Sequence, residues 1–314
     1  MYVVFGANGF LGRRVVARLA AEGLPVRAVS RRFDPDFAAE VDAEVDSGSI
    51  ASVEVVEADL RDPFACLAAL AGATRVLQLV STSSPALRND YAEQDVIENV
   101  LPQMRFARDC LAAGVGRLVF VSSGGAVYGP PRYLPIDEAH PTDPLNSHGL
   151  TKLMTEKYLG MLAQTRGLDA VVLRVANPFG PTQGFRKGQG LIPAILERQR
   201  RGLPVTVYGD GSARRDFVYV EDVVDAIRRA LDLDAAKGGV FNVGSGRARS
   251  VNEVLAAVEA RLGTGIAREH RPARETDVAV SELAIGRARE VLGWAPATPF
   301  ETAVDLTLAG QRPR

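Results

Sequence analysis

Short apolar runs alternate with amphipathic stretches over residues 1–130. YVVFG is followed by RRVVARLAAEG, and then come PVRAVS, VEVVEADL, FACLAALAGA and RVLQLVS. After these, IENVLPQMRFARDCLAAGVG leads into RLVFVSS. The short runs lack polar alternation, as strands buried on both faces do, and the stretches between them repeat at helical spacing. The pattern predicts βαβ units and a parallel sheet. Gly23, Gly72 and Gly114 stand where helices should close, in keeping with left-handed C-caps. Further on, LDAVVLRVANPFG reads as another buried strand, 221–231 and 250–262 as helices, and GVFNVGSG as a strand ending in a loop. Residues 178–193 and 202–212 read as glycine- and proline-rich loops. The acidic segment DPDFAAEVDAEVDSGS (34–49) reads as an exposed loop or a short helix. No internal repeat or low-complexity tract interrupts the pattern.

Composition narrows the class. The chain has 314 residues, 46% of them hydrophobic, enough for one large α/β domain or a nucleotide domain with a smaller cap. A net charge of -1 argues against a nucleic-acid or membrane-surface partner. No apolar run approaches the ~18 residues that span a bilayer. MYVVFGANG reads as a strand entering a glycine turn, not as a signal peptide. Cys66 and Cys110 have neither CxxC nor metal-ligand spacing, so no metal site is expected. They read as buried free thiols in a reducing cytoplasm.

The first candidate chemistry is the turn after the first strand, Gly6-Ala7-Asn8-Gly9-Phe10-Leu11-Gly12. Gly6 would make the tight turn, Gly9 would let a pyrophosphate approach, and Gly12 would let helix and strand pack closely. Three glycines at this spacing are weak evidence alone, but first strand, first helix and chain start give them their context. The second strand should end over the adenine ribose, where a carboxylate suits NAD and arginine suits the 2′-phosphate of NADP. Here the chain has Ser30-Arg31-Arg32, and its first acid is Asp34. This leans to NADP. The alternative is a solvated arginine pair, with NAD held by Ser30 and main-chain groups. Asp59, in ADLRD after the third strand, could reach the adenine amino group.

GANGFLG, ADLRD, ENVLPQMRFARDCLAAGVGRLVFVSSGGAVYG, NSHGLTKLMTEKYL, LRVANPFGP, GDGSARRDFVYVEDVVDA, FNVGSG and LGWAPATPFETAV together cover most of the chain. On these motifs it resembles the extended short-chain dehydrogenase/reductases, specifically the NAD-dependent epimerase/dehydratase group. The resemblance implies an α/β fold: a doubly wound parallel Rossmann sheet with a smaller C-terminal α/β substrate-binding domain. It implies an NAD(P)-binding domain over 1–175 with 213–245 returning to it, and a substrate-binding domain from 176–212 and 246–314. The implied activity is that of a nucleotide-sugar epimerase, UDP-glucose 4-epimerase-like, with a transient 4-keto intermediate and a bound nicotinamide cofactor. The family favours NAD. It also implies a UDP-hexose partner and a homodimer built on the helix of Lys152 and the helix from about 92 to 112.

The family uses a tyrosine base four residues before its lysine, and a nearby serine or threonine. A sugar hydroxyl is a very weak acid, so its proton must be taken by a group tuned to accept it. Lys152 matches the lysine. The tyrosine position is His148, and the serine or threonine position is Gly124, with Ser122 and Ser123 just upstream. Three readings stay open: His148 is a working base with an ordinary pKa of about 6.5; the chain is catalytically impaired and only binds nucleotide sugar; or it is a variant of a tyrosine-bearing parent. A reductase of 4-keto nucleotide sugars using NADPH is a rival activity, motivated by Arg31 and Arg32. Tyr128 is expected to shape the site. Gly125 and Ala126 replace the acidic pair of the 4,6-dehydratases, which disfavours elimination. His140 and His270 are expected in loops.

The remaining positions come from the resemblance alone. Phe10, Leu11, Leu60, Leu79, Ser81, Asn99 and Pro178 are implied cofactor contacts, beside the glycines, Ser30, Arg31, Arg32, Asp59, Ser122 and Lys152. Gly124, Asn177, Leu191, Arg215, Arg274 and Asp277 are implied contacts of the nucleotide sugar. A bidentate arginine such as Arg215 suits a diphosphate, and Asp277 would suit a ribose.

Overall fold

The computed structural model describes residues 1–44, 52–83, 92–184, 190–274 and 277–310; residues 45–49 of the acidic segment lie outside the described residues. The main sheet contains β1 (Tyr2–Phe5), β2 (Val26–Ser30), β3 (Val53–Glu57), β4 (Arg75–Gln78), β5 (Arg117–Ser123) and β6 (Ala170–Val175). β7 (Asn177–Phe179), β8 (Val205–Tyr208) and β9 (Arg214–Tyr219) lie elsewhere, and β10 (Val240–Val243) returns to the main sheet. Its order is β3-β2-β1-β4-β5-β6-β10, and every pairing is parallel. β5 and β6 are buried almost end to end, as continuous apolar runs require. β3 departs from that pattern: it is an edge strand, and its Val55 is 50% exposed.

The helices wind on both faces. α1 (Phe10–Ala21) packs on one face; α2 (Phe37–Glu44) follows β2. α3 (Pro63–Ala69) packs on the other face, where Cys66 joins Leu118, Phe120 and Val172. Asp62 caps α3 by accepting from the amides of Phe64 and Ala65. The stretch expected as one helix from about 92 is α4 (Ala92–Asp95), a π-helical turn at Val96–Val100 and α5 (Leu101–Ala112). Pro102 has no N–H to continue the ladder, and the wider turn precedes it. α6 (Ser147–Arg166) starts under an Asn146 cap and ends at Gly167 with φ +74°.

α7 (Leu191–Arg200) belongs to the smaller core with Phe179, Ile192, Ile195, Phe217 and Phe300. α8 (Val220–Asp232) lies on the α1 face of the main sheet; Val223, Val224 and Ile227 share one core with Val15, Val16 and Leu19. β11 (Ala248–Ser250), β9 and β13 (Val280–Ser281) form a small sheet, with β7 added on β9, and β12 (Arg268–Arg271) pairs with β8. The 213–245 segment therefore divides: β9 joins the small sheet, and α8 and β10 join the large one. α9 (Val251–Leu262) opens with a Ser250–Glu253 capping box. α10 (Gly286–Leu292) and α11 (Phe300–Ala309) close the described chain. His270 sits in β12 instead of a loop, and His140 is 3% exposed, its Nε2 accepting from the Arg132 amide at 2.9 Å. Cys66 and Cys110 are free and buried, and burial pushes both thiols well above their ordinary value. No helix among the described residues is long and apolar enough to cross a membrane.

Candidate active site

A cavity of about 570 Å³ opens at the carboxyl ends of β1, β4, β5 and β6. The strand order reverses between β1 and β4, which is where a doubly wound sheet leaves a crevice. One wall is the glycine turn. Gly6 takes φ +86°, open to glycine without strain, and its amide bonds Val29 O at 2.8 Å. A Cβ on Gly12 would lie 2.2 Å from Gly6 O and 2.7 Å from Ala7 Cα, so α1 can pack here only with glycine. The N-cap of α1 is Gly9 and no side chain caps the helix. Its first-turn residues Phe10, Leu11 and Gly12 line the cavity, so the helix start is open to an anion such as a pyrophosphate.

The cavity next to β2 differs from expectation. Arg31 and Arg32 are exposed and do not line it, nor does Ser30. Asp34, Asp36 and Glu40 do. Arg13, rising from α1, bridges all three at 2.7, 3.2 and 2.6 Å and bonds Asn8 Oδ1 at 2.7 Å. Beside Arg13, the Asp36 carboxyl is held below its ordinary value. Asp59 also stays out of the lining: Arg61 takes it at 3.0 and 2.7 Å, and that pairing lowers its pKa. Leu60 is buried in the core.

The opposite end of the cavity belongs to α6. His148, Lys152 and Glu156 recur every four residues, and all three are buried on one helical face. Lys152 Nζ donates to Val121 O at 2.8 Å and stands 4.8 Å over the Phe120 ring. Burial pulls its pKa down to about 8, and the Glu156 carboxylate resists that shift. His148 Nδ1 lies 2.8 Å from Ser83 Oγ. Burial, then the Lys152 charge, brings its pKa down to about 3, while a hydrogen bond with the Ser83 backbone opposes the fall. The ring is therefore neutral at ordinary pH, with one nitrogen donating a hydrogen bond and the other able to accept one. Ser122 and Ser123 line the same end, but Ser122 Oγ donates to Glu156 Oε1. Arg174 takes the same carboxylate, bonding Oε2 through Nη2 at 2.7 Å and Nε at 3.1 Å. Arg174 also donates to Tyr128 Oη at 3.0 Å, and Tyr128 donates to Asn242 Oδ1 at 2.6 Å. Tyr128 does not line the cavity, and burial raises its pKa to about 12. It supports the wall from behind.

Leu79, Ser81 and Pro178 complete the expected lining. Asn99 does not line it; its Oδ1 accepts from the Thr82 amide at 2.8 Å and the Ser83 amide at 3.4 Å, holding the loop after β4. Gly124 lies behind the wall. A Cβ there would come within 2.6 Å of Leu283 Cδ1 and 2.9 Å of Arg174 O, so the packing leaves no room for serine or threonine. Asn177 Nδ2 is held by Asp216 O at 2.9 Å. Arg215 and Asp277 come together at 3.7 Å, and Arg274 stacks 3.7 Å over Tyr208. Leu191 starts α7 against the smaller core. None of Asn177, Leu191, Arg215, Arg274 and Asp277 lines the described cavity.

Sequence reasoning missed Ser83, Asn8, Arg13, Asp36 and Glu40. Asn8 stood inside the glycine motif, and the hydroxyl-rich STSS after the fourth strand was the one signal for Ser83. No group of three or more metal-ligating side chains occurs among the described residues.

The profile described as the NAD dependent epimerase/dehydratase family matches residues 2–244. A UDP-glucose 4-epimerase of Mycolicibacterium smegmatis is 34% identical over 310 residues, covering 98% of this chain and 96% of that protein. The UDP-glucose 4-epimerase of Thermus thermophilus, solved with NAD, superposes with a TM-score of 0.87 at 31% identity, covering 98% of each chain. That of Thermotoga maritima, solved with UDP-glucose, gives 0.88 at 29% identity, covering 98% of this chain and 97% of that one.

Proposed function

Because the chain belongs to the NAD dependent epimerase/dehydratase family, we propose that it is a nucleotide-sugar 4-epimerase with a retained NAD. The observation that carries this reading is the shared cavity of an uncapped helix start and a neutral His148 beside Lys152. The residues fit the cofactor: the glycine turn would take its pyrophosphate, and Lys152 would reach its nicotinamide ribose. When bound, the cofactor supplies a hydride acceptor and donor. His148 accepts the hydroxyl proton. Lys152 holds positive charge at the same end, which favours a developing alkoxide. Ser123 is the hydroxyl partner, since Ser122 is committed to Glu156. NAD is favoured over NADP because Asp34, Asp36 and Glu40 line the β2 end and would repel a 2′-phosphate. The reductase reading rested on Arg31 and Arg32, which lie outside the cavity.

The sugar nucleotide would lie between the main sheet and the smaller unit, with Arg215 and Arg274 on its phosphates, Asp277 on its ribose and Asn177 and Leu191 beside them. On this reading the nucleotide domain comprises 1–175 and much of 213–245, and the remainder holds the substrate. Exposed Ile97, Leu101, Leu150, Met154 and Met161 on the Ala92–Ala112 segment and α6 supply an apolar face for a homodimer. Two buried free thiols suit a cytoplasmic enzyme.

The test is incubation with UDP-glucose, UDP-N-acetylglucosamine and UDP-glucuronate, without added cofactor, followed by proton NMR. The C4 epimer of one of them is expected. No conversion of any, with nucleotide sugar bound, overturns the reading.

A further inference from the structure

Ser83 is a hydroxyl with no counterpart in the motifs discussed above, yet it is 4% exposed and bonded to the ring of His148. Its Oγ lies 2.8 Å from His148 Nδ1 on one side and 3.1 Å from Ser81 Oγ on the other. Ser81 is exposed, lines the cavity, and reaches Asn99 Oδ1 at 3.5 Å. The same Asn99 oxygen accepts from the amides of Thr82 and Ser83, which fixes the loop. An amide oxygen can only accept, so the row acquires a direction. Ser81 donates to Asn99, Ser83 donates to Ser81, and His148 Nδ1–H donates to Ser83. The bare nitrogen is then Nε2.

We propose that Ser83 fixes His148 in the Nδ1–H tautomer and, with Ser81, carries the substrate proton between the ring and solvent. The origin of that proton rests on the epimerase reading; the tautomer does not. No carboxylate among the described residues bonds the ring, so the orienting role that an acid often plays falls to a hydroxyl. The charged groups nearby are few. Lys152 stands on the same helix. From the facing elements, Asp95 accepts from Ser147 at the start of α6, and Glu98 lies 3.4 Å from Thr82 Oγ1.

The step balances without a redox partner. The substrate O–H bond breaks, its electron pair stays on oxygen, and Nε2–H forms. Nδ1–H breaks as its proton joins Ser83 Oγ. The former Ser83 proton passes to Ser81 Oγ, and the former Ser81 proton, turned from Asn99 Oδ1 (3.5 Å away) to the solvent that exposed Ser81 meets, passes to water. The ring ends neutral in the other tautomer, and the reverse order returns a proton to the carbonyl oxygen. A ring pressed between burial and the Lys152 charge is a poor place to keep a cation, and this row removes the need.

The experiment uses the full NAD-loaded chain with ¹⁵N-labelled histidine and long-range proton–nitrogen correlation. The three histidines give few signals, and the one lost in His148→Gln is assigned. We expect Nδ1–H with a bare Nε2 in the native protein, and a shift towards Nε2–H in Ser83→Ala. Ser83→Thr, which keeps the hydroxyl, should restore the native pattern. Turnover in Ser83→Ala should fall by roughly tenfold or more, with KM and bound NAD unchanged. A native Nε2–H tautomer overturns the proposal, as does a Ser83→Ala protein with unchanged tautomer and turnover. If the native protein forms no C4 epimer, the epimerase reading fails alone, and the nitrogen spectrum still decides the tautomer.

Discussion

At the glycine turn the cavity wall is main chain, and at α6 it is side chains. Gly6, Gly9 and Gly12 act by what they lack: a Cβ on Gly12 would sit 2.2 Å from a carbonyl oxygen. His148, Lys152 and Ser122 act through partners far along the chain: Ser83, Val121 O and Glu156. The first end has one solution, because nothing smaller than glycine exists. The second tolerates replacement provided the partners change too. Gly124 shows both rules at once. It stands where the family has a hydroxyl, yet a Cβ there would meet Leu283 Cδ1 at 2.6 Å.

Four substitutions or conditions would break or sharpen this contrast. Gly12→Ala should do the most. Its clash is with backbone, which cannot step aside, so NAD retention through gel filtration should be lost and stability should fall by about 3 kcal/mol, the top of the overpacking range. A Gly12→Ala protein that keeps its NAD would end the steric account. Lys152→Met should leave the glycine turn intact and the bound NAD in place, while turnover falls by about 10²–10⁴-fold, the span typical of lost acid–base assistance. Loss of NAD with no change in turnover per bound cofactor would reverse the assignment of ends.

Gly124→Ser should not raise turnover. It should cost about 1–3 kcal/mol by overpacking, read as a lower Tm, and Leu283→Val should recover part of that. A gain in turnover would mean the family hydroxyl still fits. The most gradual effect is a slope with pH. The folded state holds His148 neutral down to about pH 3, whereas the unfolded ring takes a proton near 6.5. Stability should therefore fall as pH drops through that window, by roughly 1.4 kcal/mol per unit from this group. Denaturant titrations of His148→Gln should lack that part of the slope.

The parallel sheet was readable because continuous apolar runs such as LDAVVLRV have few other places to go. The glycine turn was readable because its requirement is local. The π-turn before Pro102 and the strand at His270 were not. The first depends on how a helix repairs one missing donor, the second on a pairing with β8 sixty residues earlier. The ribose end misled for a related reason. Arg31 and Arg32 follow β2 in sequence, but Arg13 reaches over from α1 and gathers Asp34, Asp36 and Glu40 into the wall. His148 was visible as an altered letter in a known frame. Its partner Ser83 was not, because only the folded sheet brings residue 83 to residue 148.

The place of β10 at the rim of the main sheet bears on how the chain is made. β6 is finished at Val175, but the strand that covers its outer edge begins at Val240. On a ribosome adding roughly 5–20 residues per second, the AVVLRV edge waits several seconds with its amides and carbonyls unpaired. Such an edge is a template for pairing with another chain. A nascent or truncated polypeptide ending between 176 and 239 should therefore self-associate, and should need chaperone protection that the full-length chain does not.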